Sequence, residues 1–155
     1  MTSKSLHEEI SIELELMAKI VYEVSSLCHD VTGRPATVRE RTAGASFLAQ
    51  FYGGIENILK RIHRYNKLPL PVGETWHLDL FNRFCPPGYE MLPLLFDNNL
   101  ASKLSPFRKF RHVVYHGYGF QIEWDIMREG LDNLEAVFRD VSVVLESFLD
   151  SLPRN

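Results

Sequence analysis

The run Leu131-Asp132-Asn133-Leu134-Glu135-Ala136-Val137-Phe138-Arg139-Asp140-Val141-Ser142-Val143-Val144-Leu145 decides the fold class. Leu131, Leu134, Phe138, Val141 and Leu145 recur at steps of three and four, and Phe148 and Leu152 continue the series. That period is one face of an α-helix, which turns once in 3.6 residues. Such a stripe is core or a dimer seam rather than a cofactor box.

The same period fills most of the chain. Leu6, Ile10, Leu14, Met17, Val21, Val24 and Cys28 predict an amphipathic helix over about residues 5–29, ended by Thr32-Gly33-Arg34-Pro35. Thr37 followed by Glu40 has the capping-box spacing that opens a second helix. Its stripe is Phe47, Phe51, Gly54, Ile55, Ile58, Ile62 and Tyr65. Gly53 and Gly54 lie inside it, and a helix-interior glycine costs roughly 1 kcal/mol relative to alanine, so the pair predicts close approach of another helix. Residues 66–75, with Pro69, Pro71 and Gly73, read as a loop, and Thr75 as the cap of a short helix beginning at Trp76-His77. Pro86-Pro87-Gly88 marks a second irregular segment. Leu100, Leu104, Phe107, Arg111 and Val114 predict a further helix that Ser105-Pro106 either divides or restarts, and Gly117 and Gly119 mark its end. No segment alternates with the period of a strand, and no repeat is present. The expectation is a single all-α domain over residues 1–155, a helix bundle with long first, second and last helices.

Charge and composition narrow the function. Apolar residues make up 45% and charged residues 24%, the balance of a globular protein, while the net charge of −3 argues against non-specific coating of nucleic acid. The distribution is uneven: no acid lies between Asn98 and Ile122, where Lys103, Arg108, Lys109 and Arg111 stand. Lys60, Arg61, Arg64 and Lys67 occupy a second acid-free stretch. Taken alone that second stretch reads as a solvated helix face; if the two meet in space, they form a local phosphate-attracting surface. Two distant cysteines, Cys28 and Cys85, no apolar leader and no membrane-length apolar run lead to the expectation of a cytoplasmic protein without a disulfide framework. Walker, Rossmann and nucleophile-elbow patterns are absent, so no nucleotide cofactor is expected.

The chemistry concentrates in Phe110-Arg111-His112-Val113-Val114-Tyr115-His116-Gly117-Tyr118-Gly119. Arginine, four residues, histidine, one residue and tyrosine resembles the R-x4-H-x-Y signature of toxins of the HEPN superfamily, the HepT-like group. Phe51-Tyr52-Gly53-Gly54-Ile55-Glu56-Asn57-Ile58, Leu68-Pro69, Gly73-Glu74-Thr75-Trp76-His77 and Phe110-Arg111-His112 follow one another as in one HepT-like subfamily, so the resemblance covers roughly residues 45–125. It implies an HEPN-type antiparallel helix bundle and a metal-independent endoribonuclease acting on RNA such as tRNA or mRNA. It implies a homodimer whose two motifs meet across the interface. It also implies a nucleotidyltransferase antitoxin that adenylylates the motif tyrosine, carried over here to Tyr118, with Arg111 and His116 as the catalytic pair. Tyr115 departs from the pattern, standing where some members carry another basic residue, which lowers the local positive charge.

The residue types suit such chemistry on their own. RNA supplies its own nucleophile, the 2′-hydroxyl; histidine exchanges protons near neutral pH, and arginine holds phosphate oxygens while staying charged. Positions five apart on an ideal helix differ by about 140°, so Arg111 and His116 share a site only through long side chains, a distorted helix end or a second subunit. Singly, His116 reads as a satisfied buried histidine, Arg111 as a charge complementing the helix dipole and Tyr118 as a packed aromatic. His112 and His116 have a metal-ligand spacing, but Val113 stands where a zinc-hydrolase helix needs glutamate, so no metal is expected. Arg108, Lys109 and His112 are candidate RNA contacts. Glu56 and Asn57 are candidates for orienting the motif by hydrogen bonds to Arg111 or His112. Trp76-His77 reads first as a cap and core contact, with a site-lining role the lesser alternative. The competing function is a non-catalytic helical module that partners a nucleotidyltransferase; a helical protein that has lost its activity is the third.

Overall fold

The computed structural model describes residues 1–154. Five α-helices account for most of them: α1 (Ser3–Val31), α2 (Val38–Tyr65), α3 (Trp76–Asn82), α4 (Asn98–His116) and α5 (Trp124–Asp150). A single 3-10 turn, Gly119–Gln121, lies between α4 and α5, and no strand occurs among the described residues.

The local signals act as expected where the backbone needs them. Thr37 accepts from the Glu40 amide at 3.2 Å while the Glu40 carboxylate accepts from the Thr37 amide at 2.9 Å, so the capping box at the start of α2 is closed. Arg34 donates two hydrogen bonds to the same carboxylate, which together with the Thr37 amide holds Glu40 down at about 2. At α4 the cap is Asp97, which accepts from the Leu100 amide at 2.8 Å. Three expectations change. Thr75 stands at the N-cap of α3, but its hydroxyl makes no capping hydrogen bond and donates instead to Asp79. Ser105-Pro106 neither divides nor restarts α4, which runs through Pro106 unbroken. Pro106 and Ser102 are both exposed, so the carbonyl that loses its donor sits on the wet face of the helix. Of the two adjacent glycines only Gly54 marks a close approach: a Cβ there would lie 2.7 Å from Cγ of Met17 on α1, whereas Gly53 faces open space.

Helix α2 is the spine of the bundle and packs against every other element. Helix α1 runs antiparallel to α2, to which a short turn joins it, and to α5, whose far end meets the start of α1 where Ser3 donates to the Pro153 carbonyl; α5 lies beside α2 in the same direction, with Gly44 facing Trp124 and Phe51 facing Phe138. The α5 stripe is core: Leu131, Leu134, Val141 and Leu145 are buried and Phe138 meets Phe51 edge-on at 6.3 Å. Phe107 of α4 meets Phe51 at 5.2 Å from the other side. A second apolar cluster forms under α3, where Phe81 stacks on Phe96 at 5.1 Å and the buried His63 abuts Phe84. This cluster fixes α3 across the end of α2, and so fixes what its first turn carries. No helix among the described residues is long and apolar enough to cross a membrane.

Candidate catalytic site

The second half of α4 carries Arg111, and its side chain turns inward. Its Nε pairs with Oε1 of Glu56 in the middle of α2. Glu56 is 2% exposed, an ionised carboxyl in the wall of the core, and such a group is retained only when paired. Its second oxygen, Oε2, meets Nδ1 of His77 at 2.5 Å. The loop closes through Arg111, whose Nη1 lies 3.3 Å from Nε2 of His77. Arginine has no acceptor, so this contact requires a lone pair on Nε2, and the imidazole proton then sits on Nδ1 and is donated to Glu56. Tyr52, one turn before Glu56, is fully buried; burial first and the Glu56 charge second push its hydroxyl above the ordinary tyrosine range.

Trp76 covers this triad. Its ring lies 3.3 Å from that of His77, with Nζ of Lys60 over it at 4.7 Å and the Arg111 guanidinium at 5.9 Å. The two acid-free stretches therefore do meet, at Trp76, though only through Lys60. Arg61 turns the other way and pairs with Glu9 and Glu13 of α1 at 3.2 and 3.1 Å, and Lys103 pairs with Asp140. The solvated-face reading holds for Arg64 and Lys67 alone, which are exposed.

The outer half of the motif faces solvent. Tyr115, exposed, lays its ring against the Arg111 guanidinium at 4.5 Å. His112 and His116 are exposed and their rings approach to 4.4 Å, one turn apart on a face that Arg111 does not share. Among the described residues no three His, Cys, Asp or Glu side chains converge beside them. Arg108 and Lys109 lie one turn before His112, half-buried and exposed respectively. The helix ends at His116 because Gly117 adopts an extended backbone, where a Cβ would crowd the Val113 carbonyl at 3.2 Å. Tyr118 follows, 68% exposed and neighboured by Phe120 at 5.6 Å. Gly119 rests against Ala45, and Arg41 donates to the Phe120 carbonyl, so the start of α2 tethers the segment beyond Tyr118.

The residues singled out from sequence thus divide in two. Arg111 and Glu56 meet directly; His116, His112 and Tyr118 form a separate exposed group, and Arg111 and His116 do not touch within one copy. Asn57 is exposed on α2 and lies outside the cluster, as its place one residue off the Glu56 stripe requires. Trp76 packs against the core as expected, but it also lies beside the Arg111 guanidinium, and His77 contacts both Glu56 and Arg111, so the pair is more than a cap and core contact. Lys60 could have been found from sequence, since its spacing of four from Glu56 sets both on one face of α2. For His77 the sequence offers a site-lining role only as the lesser alternative, because its approach depends on the path of the loop 66–75.

A groove of about 950 Å³ runs between α4 and α5 beside this face, lined by Phe110, Val113, Ile122, Ile126 and Val137, with Lys103 and Lys109 at its edge. Compared with known families, residues 43–152 match the model of a family described as HepT-like protein. No curated protein and no solved structure matched the chain.

Proposed function

The chain belongs to the HepT-like protein family, and on that footing we propose that it is the toxin of a toxin–antitoxin pair, a metal-independent endoribonuclease opposed by a nucleotidyltransferase. The observation that carries this reading is the Arg111 guanidinium, clamped by a buried carboxylate and an imidazole on the helix whose exposed face bears His112 and His116, with Tyr118 just past its end. A preorganised cation of this kind stabilises charge developing on a phosphoryl group without reorganising during the reaction. Glu56 offsets one charge, but Lys60, Arg108 and Lys109 leave the surroundings net positive. His116 supplies proton transfer and Arg111 holds the phosphate. Because Arg111 and His116 lie on different faces of α4, the complete cleft is assembled by two copies about a two-fold axis, each facing its own counterpart. Tyr118 is the residue the nucleotidyltransferase adenylylates: the added phosphate competes for the arginine and repels the RNA backbone.

The test is expression of the chain without its neighbouring nucleotidyltransferase. Growth arrest and cleavage of RNA by the purified protein in chelator are expected, with Arg111→Ala and His116→Ala each slower on the order of 100- to 10,000-fold. Cleavage at the wild-type rate in both variants removes the assignment. One observation favours the second reading, a non-catalytic module that binds a nucleotidyltransferase: Arg111 already pairs with Glu56 and contacts His77 in a single copy. That reading predicts partner binding without growth arrest.

A further inference from the structure

On the ribonuclease reading above, on which this rests, the geometry points to His77 as the general base that takes the proton from the 2′-hydroxyl of the RNA. Cleavage by a neighbouring 2′-oxygen requires two proton transfers on opposite sides of phosphorus. One removes the proton of the attacking oxygen and the other supplies a proton to the departing 5′-oxygen. The motif contributes one obvious histidine for the pair, His116. The other lies outside the motif, on α3.

His77 is equipped as a base. Its Nδ1–H is donated to the buried Glu56 carboxylate at 2.5 Å, which fixes the tautomer and leaves the lone pair on Nε2. A carboxylate behind an imidazole serves this purpose in hydrolases: it orients the ring and stabilises the imidazolium that forms when the outer nitrogen takes a proton. Nε2 is held by one long contact, 3.3 Å from Arg111 Nη1, which a bound phosphate would draw off while Nε of Arg111 stays on Glu56. The His77 side chain is 25% exposed, and the Trp76 ring at 3.3 Å limits its swing. His116 has none of this support. Its ring lies tilted beside that of His112 in the open and pairs with no carboxylate among the described residues.

The step balances as follows. The 2′-hydroxyl proton passes to Nε2 of His77 as the O2′–P bond forms. The P–O5′ bond breaks, and the 5′-oxygen takes a proton from the His116 imidazolium of either copy. The products are a 2′,3′-cyclic phosphate and a 5′-hydroxyl; His77 ends protonated and His116 neutral, and exchange with water resets both.

The full-length chain is assayed on an oligonucleotide with a single ribonucleotide, and on the same oligonucleotide with sulfur replacing the bridging 5′-oxygen. A thiolate leaves without a proton, so the sulfur substrate relieves the loss of the acid and not of the base. His77→Ala and His77→Asn are both expected to lose on the order of 100- to 10,000-fold in kcat on either substrate. His116→Ala is expected to recover on the sulfur substrate. Asparagine can still donate to Glu56 and keep the clamp on Arg111, so it also decides the matter if His77→Ala fails to fold. Wild-type kcat in His77→Asn would reduce His77 to a positioning residue. Recovery of the His77 variants on the sulfur substrate would make it the acid. Either result overturns the assignment while leaving the ribonuclease reading intact. Absence of cleavage by the wild-type chain overturns both.

Discussion

Glu56 in the middle of α2 and Arg111 near the end of α4 form an ion pair whose carboxylate is almost wholly withdrawn from water. Removing one partner of a buried pair leaves the other uncompensated, at about 3–5 kcal/mol when the survivor is fully enclosed. The Arg111 side chain is 16% exposed and can partly escape to solvent, so the lower end applies. Glu56→Gln should destabilise the fold by about 3 kcal/mol or less, read by urea denaturation. A double-mutant cycle with Arg111→Ala should show coupling of about 0.5–3 kcal/mol. Additive effects would mean that the pair is not a unit.

Neighbouring glycines should respond with opposite signs. Gly53→Ala adds a methyl in open space and should stabilise by about 0.5–1 kcal/mol. Gly54→Ala drives its methyl into Met17, itself buried, and should destabilise by about 1–3 kcal/mol. Thermal melts of both variants check this, and a smaller side chain at Met17 should restore the second.

His63 should make the fold sensitive to mild acid. It is fully buried, donates from Nδ1 to the Leu59 carbonyl at 3.0 Å and lies 3.1 Å from a guanidinium nitrogen of Arg83. Burial, and then the Arg83 charge, push its value below the ordinary 6.5, against the opposing effect of the Leu59 bond. Below 6.5 the unfolded chain therefore binds a proton that the folded chain refuses, and stability falls with pH down to the folded value. The loss is at most about 1.4 kcal/mol per pH unit. Denaturation midpoints between pH 7 and 5 should fall in the wild type and fall less in His63→Gln. Equal slopes would assign the effect elsewhere.

The proposed two-copy cleft predicts a dimer that charge can break. Val113 and Ile126 are exposed in the groove between α4 and α5, where a glutamate leaves the core untouched. Sedimentation equilibrium at micromolar concentration should give a dimer for the wild type and a monomer for Val113→Glu or Ile126→Glu. A wild-type monomer would contradict the shared site.

On the proposed reading, Tyr118 should carry adenylate when the chain is co-expressed with a nucleotidyltransferase that opposes it, and mass spectrometry checks this. Tyr118→Phe should stay toxic in the presence of the partner. An inactive protein with an unmodified Tyr118 would leave steric masking as the mode of inhibition.

The helices were legible because apolar period, caps and breakers agree along the chain: the α5 stripe is core, and Thr37 and Glu40 close the box expected of them. The Pro106 reading failed because a helix tolerates proline where the freed carbonyl is wet. Of the site, Arg111 and Glu56 could be matched because both interrupt apolar faces of long helices. His77 could not, since a short helix held by Phe81 and Phe96 brings it in, and no local pattern encodes where such a helix lands.

Both ends of the motif are registered on α2. Glu56 grips Arg111, while Ala45 and Arg41 seat the residues just beyond Tyr118. Ala45 and Glu56 are eleven positions apart, about 16 Å along a helix, and that stretch acts as a ruler against which the motif is stretched. Length changes are therefore not equivalent across the chain. Residues gained or lost in the exposed part of the loop 66–75 leave the ruler intact, whereas a single residue inserted between Ala45 and Glu56 rotates one anchor by about 100° relative to the other.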